Sequence, residues 1–331
     1  MAVQDALKQA LVAIEGGAGA TLAPSGLAAC TLALIAVAKA GGELLVTDSV
    51  YGPTRKFCDT TLKRLGVRTH YFDPRIGAEI TNLINSDTCG IFLESPGSIT
   101  FEMQDVPSIV AAARARAVPT IIDNTWSAGV FFQPFAHGVD LSVQALTKYQ
   151  AGHADVFMGA ALAATPDWAE RLRANYAQLG FNASPDDAYL VLRGLRTLAV
   201  RLERQSASAL RIARWLEARP EIAHVLHPAL PSHPDHALWA RDFTGASGVF
   251  AAILKPCTAE GAAAMLEGFS LFSMGFSWGG YESLVIPCDP NIVRTAVQWR
   301  AGGPLVRFSI GLEHPDDLIA DLAAGLGRLA A

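Results

Sequence analysis

Lys148 lies two residues past the end of an apolar run, DLSVQAL at 140–146, and is trailed by the small residues Ala151 and Gly152. A lysine desolvated at the end of a buried strand has a lowered amine pKa and becomes a competent Schiff-base nucleophile. Asp123 closes a second apolar run, VPTIID at 118–123. A carboxylate there is costly to bury without a partner, and a protonated pyridinium nitrogen would be such a partner. Tyr51 follows a third run, ELLVTD at 43–48, where its ring can stack on a flat heteroaromatic group. Pro24, Ser25 and Gly26 end a strand-like segment and open a helix at once. A helix N-terminus offers free N–H groups and a positive dipole end, which suit a phosphate, and glycine lets the anion approach the backbone.

Each residue also has a plainer reading. Ser25 can be a helix cap, Asp123 the holder of the Asn124-Thr125 turn, Lys148 a snorkelling surface lysine and Tyr51 a core aromatic. Taken together, the four places put a phosphate cradle, a stacking ring, a carboxylate and an amine on one edge of one sheet. A nucleotide-binding reading fits less well, because the sequence has no GxGxxG after its first strand and no GxxxxGK[ST]. His153 and Asp155 have no third ligand nearby and read as structural, with no metal expected.

These residues need a parallel sheet to bring them together. Strand-like runs at 43–48, 67–73, 89–95, 118–123 and 140–146 alternate with helical stretches at Val3–Ile14, Ser25–Lys39, Thr54–Leu65 and Val106–Ala117. That alternation predicts a mostly parallel sheet covered on both faces, with ligands at the carboxyl ends of its strands. From 191 to 220 the chain reads as one long Arg-, Leu- and Ala-rich helix bridging into a second domain. Strand-like runs at 248–254 and 305–311 and a closing helix follow. The expected organisation is a large domain over 1–192 and a smaller C-terminal α/β domain over 193–331.

Composition narrows the class. Of 331 residues, 51 % are hydrophobic and 17 % charged, which excludes a disordered chain. A net charge of −5 without single-sign runs gives no footprint for nucleic acid. No apolar run is long enough to span a bilayer and no basic leader precedes one, so neither membrane nor nucleic acid is expected as a partner. Five scattered cysteines without a CxxC pair suggest a reducing, cytoplasmic setting.

The ordered segments SGLAA, YGPTR, DNTWSAG, TKYQAGHADVFMG, LRGLRTL and SWGGYESL resemble the Cys/Met-metabolism family of pyridoxal-phosphate (PLP) enzymes over nearly the whole chain. ESPGSITFEMQDVP at 94–107 and FSWGGYESL at 276–284 resemble its cystathionine β-lyase branch. In the γ-lyases and γ-synthases the position of Trp278 is usually leucine. The resemblance implies an aspartate-aminotransferase-like fold (fold type I) and homotetramers built as dimers of dimers, with sites at the dimer interface. It implies that Lys148 holds pyridoxal 5'-phosphate and moves the proton. Asp123 would pair with the ring nitrogen, Tyr51 would stack on the ring, and Gly26, Leu27 and Thr147 would bind the phosphate. Arg307 would clamp the substrate α-carboxylate, with Ser277 and Trp278 lining the substrate pocket.

The implied reaction is β-elimination of cystathionine to homocysteine, pyruvate and ammonia, with cystine or cysteine S-conjugates as related substrates. Two alternatives remain open: γ-elimination or γ-replacement on the same scaffold, and a shortened, non-catalytic relative that binds PLP poorly. Two departures bear on this. Ala145 stands where the family often has serine, so one phosphate hydroxyl is missing. Met1 falls after the point where the family carries an arm with a Tyr-x-Arg motif, which binds the neighbouring subunit's phosphate. The expectation is therefore a chain that folds but holds its cofactor loosely.

Overall fold

Apolar runs that alternate between two buried faces build the larger sheet. The computed structural model describes residues 1–329. Helix α1 (Ala2–Glu15) leads into β1 (Gly19–Ala23) and α2 (Gly26–Val37). Then come β2 (Glu43–Thr47), α3 (Gly52–Phe57), β3 (Arg68–Phe72), β4 (Thr88–Glu94), α4 (Val106–Arg114), β5 (Thr120–Asp123), β6 (Leu141–Gln144) and β7 (Gly159–Ala163). The seven strands lie in the order β1-β7-β6-β5-β4-β2-β3. The neighbours from β6 to β3 pair in parallel, whereas β7 runs antiparallel to both β6 and β1. Leu45, Ile91, Leu93 and Ile122 pack against Ile109 and Ala113 of α4 on one face. Their chain neighbours Leu44, Val46, Phe92 and Ile121 pack against Leu32 and Ala33 of α2 on the other. Successive residues of a strand point to opposite faces, so a sheet covered on both sides needs near-continuous apolar runs. The α/β class expected from the alternating pattern is the observed one.

Three helices connect the two sheets: α5 (Pro166–Gln178), α6 (Pro185–Leu195) and α7 (Leu198–Glu217). The single long helix expected over 191–220 is instead broken between α6 and α7. The backbone of Gly194 packs so closely on the Lys148 turn that a Cβ would lie 2.4 Å from the carbonyl oxygens of Gln150 and Ala151. Arg201 then reaches back to the carbonyls of Gly194 and Tyr149, at 2.8 and 2.7 Å. Tertiary contacts at that turn override a locally helical sequence. The helix expected over Thr54–Leu65 is α3 followed by a π-helical turn, Cys58–Leu62.

The second sheet comprises β8 (Ile222–Leu226), β9 (Val249–Leu254), β10 (Ser273–Met274), β11 (Leu284–Pro287) and β12 (Leu305–Ser309), with α8 (His236–Asp242), α9 (Ala259–Glu267) and α10 (Pro315–Leu326) between and after them. Its order is β10-β11-β12-β9-β8. Phe250, Val306 and Phe308 pack against Ile212, Met265 and Leu322. Two side chains from the first sheet's edge pin the start of β9. The Trp126 indole donates to the carbonyl of Val249 at 3.0 Å, and the Tyr149 hydroxyl accepts from the Gly248 N–H at 2.8 Å.

Candidate active site

The carboxyl ends of β2, β4, β5 and β6 share one edge, and each delivers a polar side chain to it. Asp123 is the last residue of β5 and pairs in register with Glu94 of β4 and Val143 of β6. Its Oδ1 accepts from the Thr125 N–H at 3.0 Å and from the Thr125 hydroxyl. The Cys30 thiol of α2 approaches Oδ2 at 3.6 Å. Burial raises the Asp123 pKa, while the Thr125 bonds, the Cys30 thiol and the charge of Lys148 oppose that rise. Thr125 also accepts the Ala145 N–H at 2.9 Å, which ties the Asp123 turn to the Lys148 turn.

Lys148 lies on the turn after β6. Its Nζ is 2.8 Å from the Ser277 hydroxyl and 5.0 Å from the Trp278 ring centroid. Burial first and the Arg307 charge second lower its pKa to about 8, against a smaller opposing pull from Asp123. The plain surface-lysine reading therefore does not describe this side chain. The Trp278 ring is half-buried and tilts onto Tyr149, centroids 5.5 Å apart. Arg307, on β12, is 8 % exposed. Its Nη2 donates to the Phe276 carbonyl at 2.7 Å, and its buried Nε–H has no partner among the described residues.

Tyr51 caps α3 with its ring 43 % exposed, and its backbone N–H donates to Glu94 Oε2 at 2.7 Å. Burial raises its phenol pKa, as do the acidic groups Cys30, Asp123 and Glu94. Glu94 escaped the sequence reading, although it carries the same signal as Asp123, a carboxylate closing an apolar strand. Burial and the Asp123 charge push its pKa well up. At the start of α2, Ser25 caps the helix by accepting the Ala28 N–H at 3.1 Å. The cap reading of Ser25 is thus part of the answer. It leaves the N–H groups of Gly26 and Leu27, the first two of the helix, pointing out of its end. A Cβ on Gly26 would lie 2.5 Å from the Cβ of Ala145, so the helix end abuts the Lys148 turn. The Thr147 hydroxyl is engaged within that turn, accepting from the Met158 N–H at 3.0 Å and donating to its carbonyl at 3.1 Å. Nδ1 of His153 lies 2.7 Å from the Ala151 carbonyl of the same turn.

The edge therefore gathers a lowered-pKa amine, a half-buried carboxylate, a half-exposed ring and an open helix end, faced by an arginine whose Nε–H has no partner among the described residues. Residues 2–327 match the Cys/Met metabolism PLP-dependent enzyme family. The chain belongs to that family. A putative cystathionine beta-lyase of Rhizobium johnstonii is 49 % identical over 99 % of this chain and 83 % of its own length. The cystathionine beta-lyase of Salmonella typhimurium is 48 % identical over 98 % of this chain and 83 % of its own. Among solved structures, the cystathionine gamma synthase of Xanthomonas oryzae in complex with cystathionine superposes with a TM-score of 0.94. It is 31 % identical and covers all of this chain, which spans 86 % of that one.

The edge fits the family's cofactor. PLP requires an anion site, a face for its ring, a counter-charge for its ring nitrogen and an amine. The glycine at 26, which no side chain could replace without displacing Ala145, leaves the open helix end close to Lys148. The fold is the fold type I arrangement of the family, with the larger, mostly parallel sheet preceding the smaller one.

Proposed function

We propose that this chain is a carbon–sulfur lyase that splits cystathionine by β-elimination, with water consumed in hydrolysis of the released aminoacrylate, into homocysteine, pyruvate and ammonia. The observation that carries the reading is the amine of Lys148, lowered to about 8 and held between the Ser277 hydroxyl and the Trp278 ring. When bound, PLP supplies the electron sink for a carbanion at the substrate Cα. Lys148 would hold the cofactor and then, as the free amine, take the Cα proton; a base with a pKa near the working pH suits that task. Asp123 would keep the ring nitrogen protonated, with Thr125 and Cys30 fixing its carboxylate. Tyr51, pinned by Glu94, would cover the ring. Gly26 and Leu27 would donate to the phosphate, and Thr147 would join them by exchanging its bond to the Met158 carbonyl. Arg307 would use its unpaired Nε–H in a two-point clamp on the α-carboxylate. Ser277 and Trp278 would shape the pocket for the thioether arm.

The β-lyase names of relatives at 48 and 49 % identity, against 31 % for the γ-synthase structure, favour β over γ chemistry. The test is a product assay: PLP-loaded protein given cystathionine should form pyruvate, and 2-oxobutyrate as the main product would point to γ-elimination. We also propose a cytoplasmic homo-oligomer, a dimer of dimers. The exposed Phe157 and Phe276, on segments flanking Lys148 and Ser277, support subunit contact, and the five free cysteines suit a reducing compartment. Light scattering of the purified protein checks the assembly.

A further inference from the structure

Behind the Asp123 and Lys148 turns lies a carboxyl group that the proposed reaction does not use. Glu15, the last residue of α1, is 3 % exposed. Its Oε1 accepts from the Asn124 amide at 2.7 Å and from the Ser142 hydroxyl, and its Oε2 accepts from the Gln144 amide at 2.9 Å. Both amides are locked in orientation. The Asn124 oxygen accepts the Ser127 hydroxyl at 2.6 Å, and the Gln144 oxygen accepts the Gln150 amide at 2.9 Å. Each therefore turns its NH2 toward Glu15. Gly129, at φ +71°, leaves room for Oε2: a Cβ there would lie 3.0 Å from it. No cation is among these partners, and burial pushes Glu15 up to about 7 despite its three donors. Burying a carboxyl in this way is costly, and an apolar residue would fill the space more cheaply.

The two branches of this network end at the two turns that matter. Asn124 is the residue after Asp123. Gln144 closes the strand leading to Lys148, and Gln150 lies two residues beyond Lys148. We infer that Glu15 is a positioning residue: its carboxyl fixes the Asp123 and Lys148 turns relative to each other by holding an amide from each. The inference rests on the roles proposed above for Asp123 and Lys148. Glutamine at position 15 offers one oxygen and one NH2 to two locked NH2 groups, so one branch must invert.

The test compares Glu15→Gln and Glu15→Met with the wild type as PLP-loaded enzymes. The readings are kcat and KM per bound cofactor, thermal midpoint, and the pH midpoint of the cofactor's visible band. We expect kcat to fall about tenfold with KM held within about twofold. We expect the band midpoint to shift by about half a unit in Glu15→Gln, because turns that move relative to each other change the burial and the Asp123 charge that act on the Lys148 nitrogen. A lowered thermal midpoint with unchanged kcat and unchanged band midpoint would make Glu15 structural only and overturn the inference. Should both variants fail to fold, Ser127→Ala and Gln150→Ala release one branch each from outside the carboxyl shell. A smaller fall in kcat in both supports the inference, and wild-type kcat in both overturns it. Borohydride labelling of the wild type separates the two levels. A label away from Lys148 overturns the underlying reading and the inference with it, whereas a label on Lys148 with a wild-type-like Glu15→Gln removes the inference alone.

Discussion

The amine of Lys148 and the hydroxyl of Ser277 meet at 2.8 Å although 129 positions separate them in sequence. The contact joins the turn after β6 to the segment before β11, and so joins the two sheets at the site itself. A glycine makes it possible. Gly279 sits at φ +82°, and a Cβ there would come within about 3 Å of the Lys148 and Tyr149 backbone. The segment carrying Ser277 and Trp278 is thus pressed onto the lysine turn.

The first prediction concerns the lysine. Reducing the PLP-loaded protein with borohydride should fix the cofactor on Lys148, because this amine is lowered in pKa, bonded to Ser277 and placed on the shared edge. Peptide mapping reads the result. A label on any other lysine in a saturated sample rejects the assignment.

A second prediction follows from the contact between α2 and the Lys148 turn. Gly26→Ala places a methyl 2.5 Å from the Cβ of Ala145, and one of the two backbones must move. Overpacking of this kind costs about 1–3 kcal/mol, so PLP affinity should fall by roughly ten- to a hundredfold. Equilibrium dialysis measures it. Ala145→Gly in the same chain should restore much of the loss. Wild-type affinity in Gly26→Ala alone would show that the helix end does not bind the phosphate.

The pH dependence of stability offers a third. His227 is fully buried, its Nδ1 accepts the Ala229 N–H at 3.2 Å, and its Nε2 has no partner among the described residues. Burial, with His233 adding to it, lowers its pKa to about 3. The folded state keeps it neutral while the unfolded state protonates near the ordinary 6.5. The unfolded chain therefore binds more protons below 6.5, and stability drops as pH falls toward 3. Between pH 6.5 and 5 the loss from this group is about 2 kcal/mol. His227→Asn, whose side-chain oxygen can take the Ala229 N–H, should flatten the stability profile by that amount in urea titrations. Parallel profiles for the two proteins would place the titration elsewhere.

The parts of this architecture that were readable in advance are those written locally. Strands β2, β4, β5 and β6 are continuous apolar runs, and Tyr51, Asp123 and Lys148 stand out because each follows such a run. The parts that were not readable depend on distant partners. Glu15 looks like the polar end of an amphipathic helix until Asn124, Ser142 and Gln144 close around it from 109 to 129 positions away. Strand β7 is Gly159-Ala-Ala-Leu-Ala163, small residues without strand periodicity, and it exists because β1 and β6 flank it. The break between α6 and α7 is set by Gly194 packing on the lysine turn, which no local pattern records.

The last prediction concerns Arg307. It stands on the central strand β12, paired with Ile286 and Ala251, where a charge has few partners. Nη2 bonds to the carbonyls of Phe276 at 2.7 Å, Ser277 at 3.4 Å and Gly275 at 3.5 Å hold the guanidinium, and the buried Nε–H has no acceptor among the described residues. A substrate α-carboxylate supplies one, in the planar two-point geometry that guanidinium matches and ammonium does not. Arg307→Lys keeps the charge but loses the fork and the tether to Phe276. Charge-assisted hydrogen bonds contribute about 1.5–3 kcal/mol, so KM for cystathionine should rise by roughly ten- to a hundredfold. PLP content should stay at the wild-type level, since among the described residues no hydrogen bond joins Arg307 to the helix end or the Lys148 backbone. Steady-state kinetics on the variant decides the matter: a KM near the wild-type value would mean that another group binds the carboxylate, and that the unpaired Nε–H of Arg307 serves the fold alone.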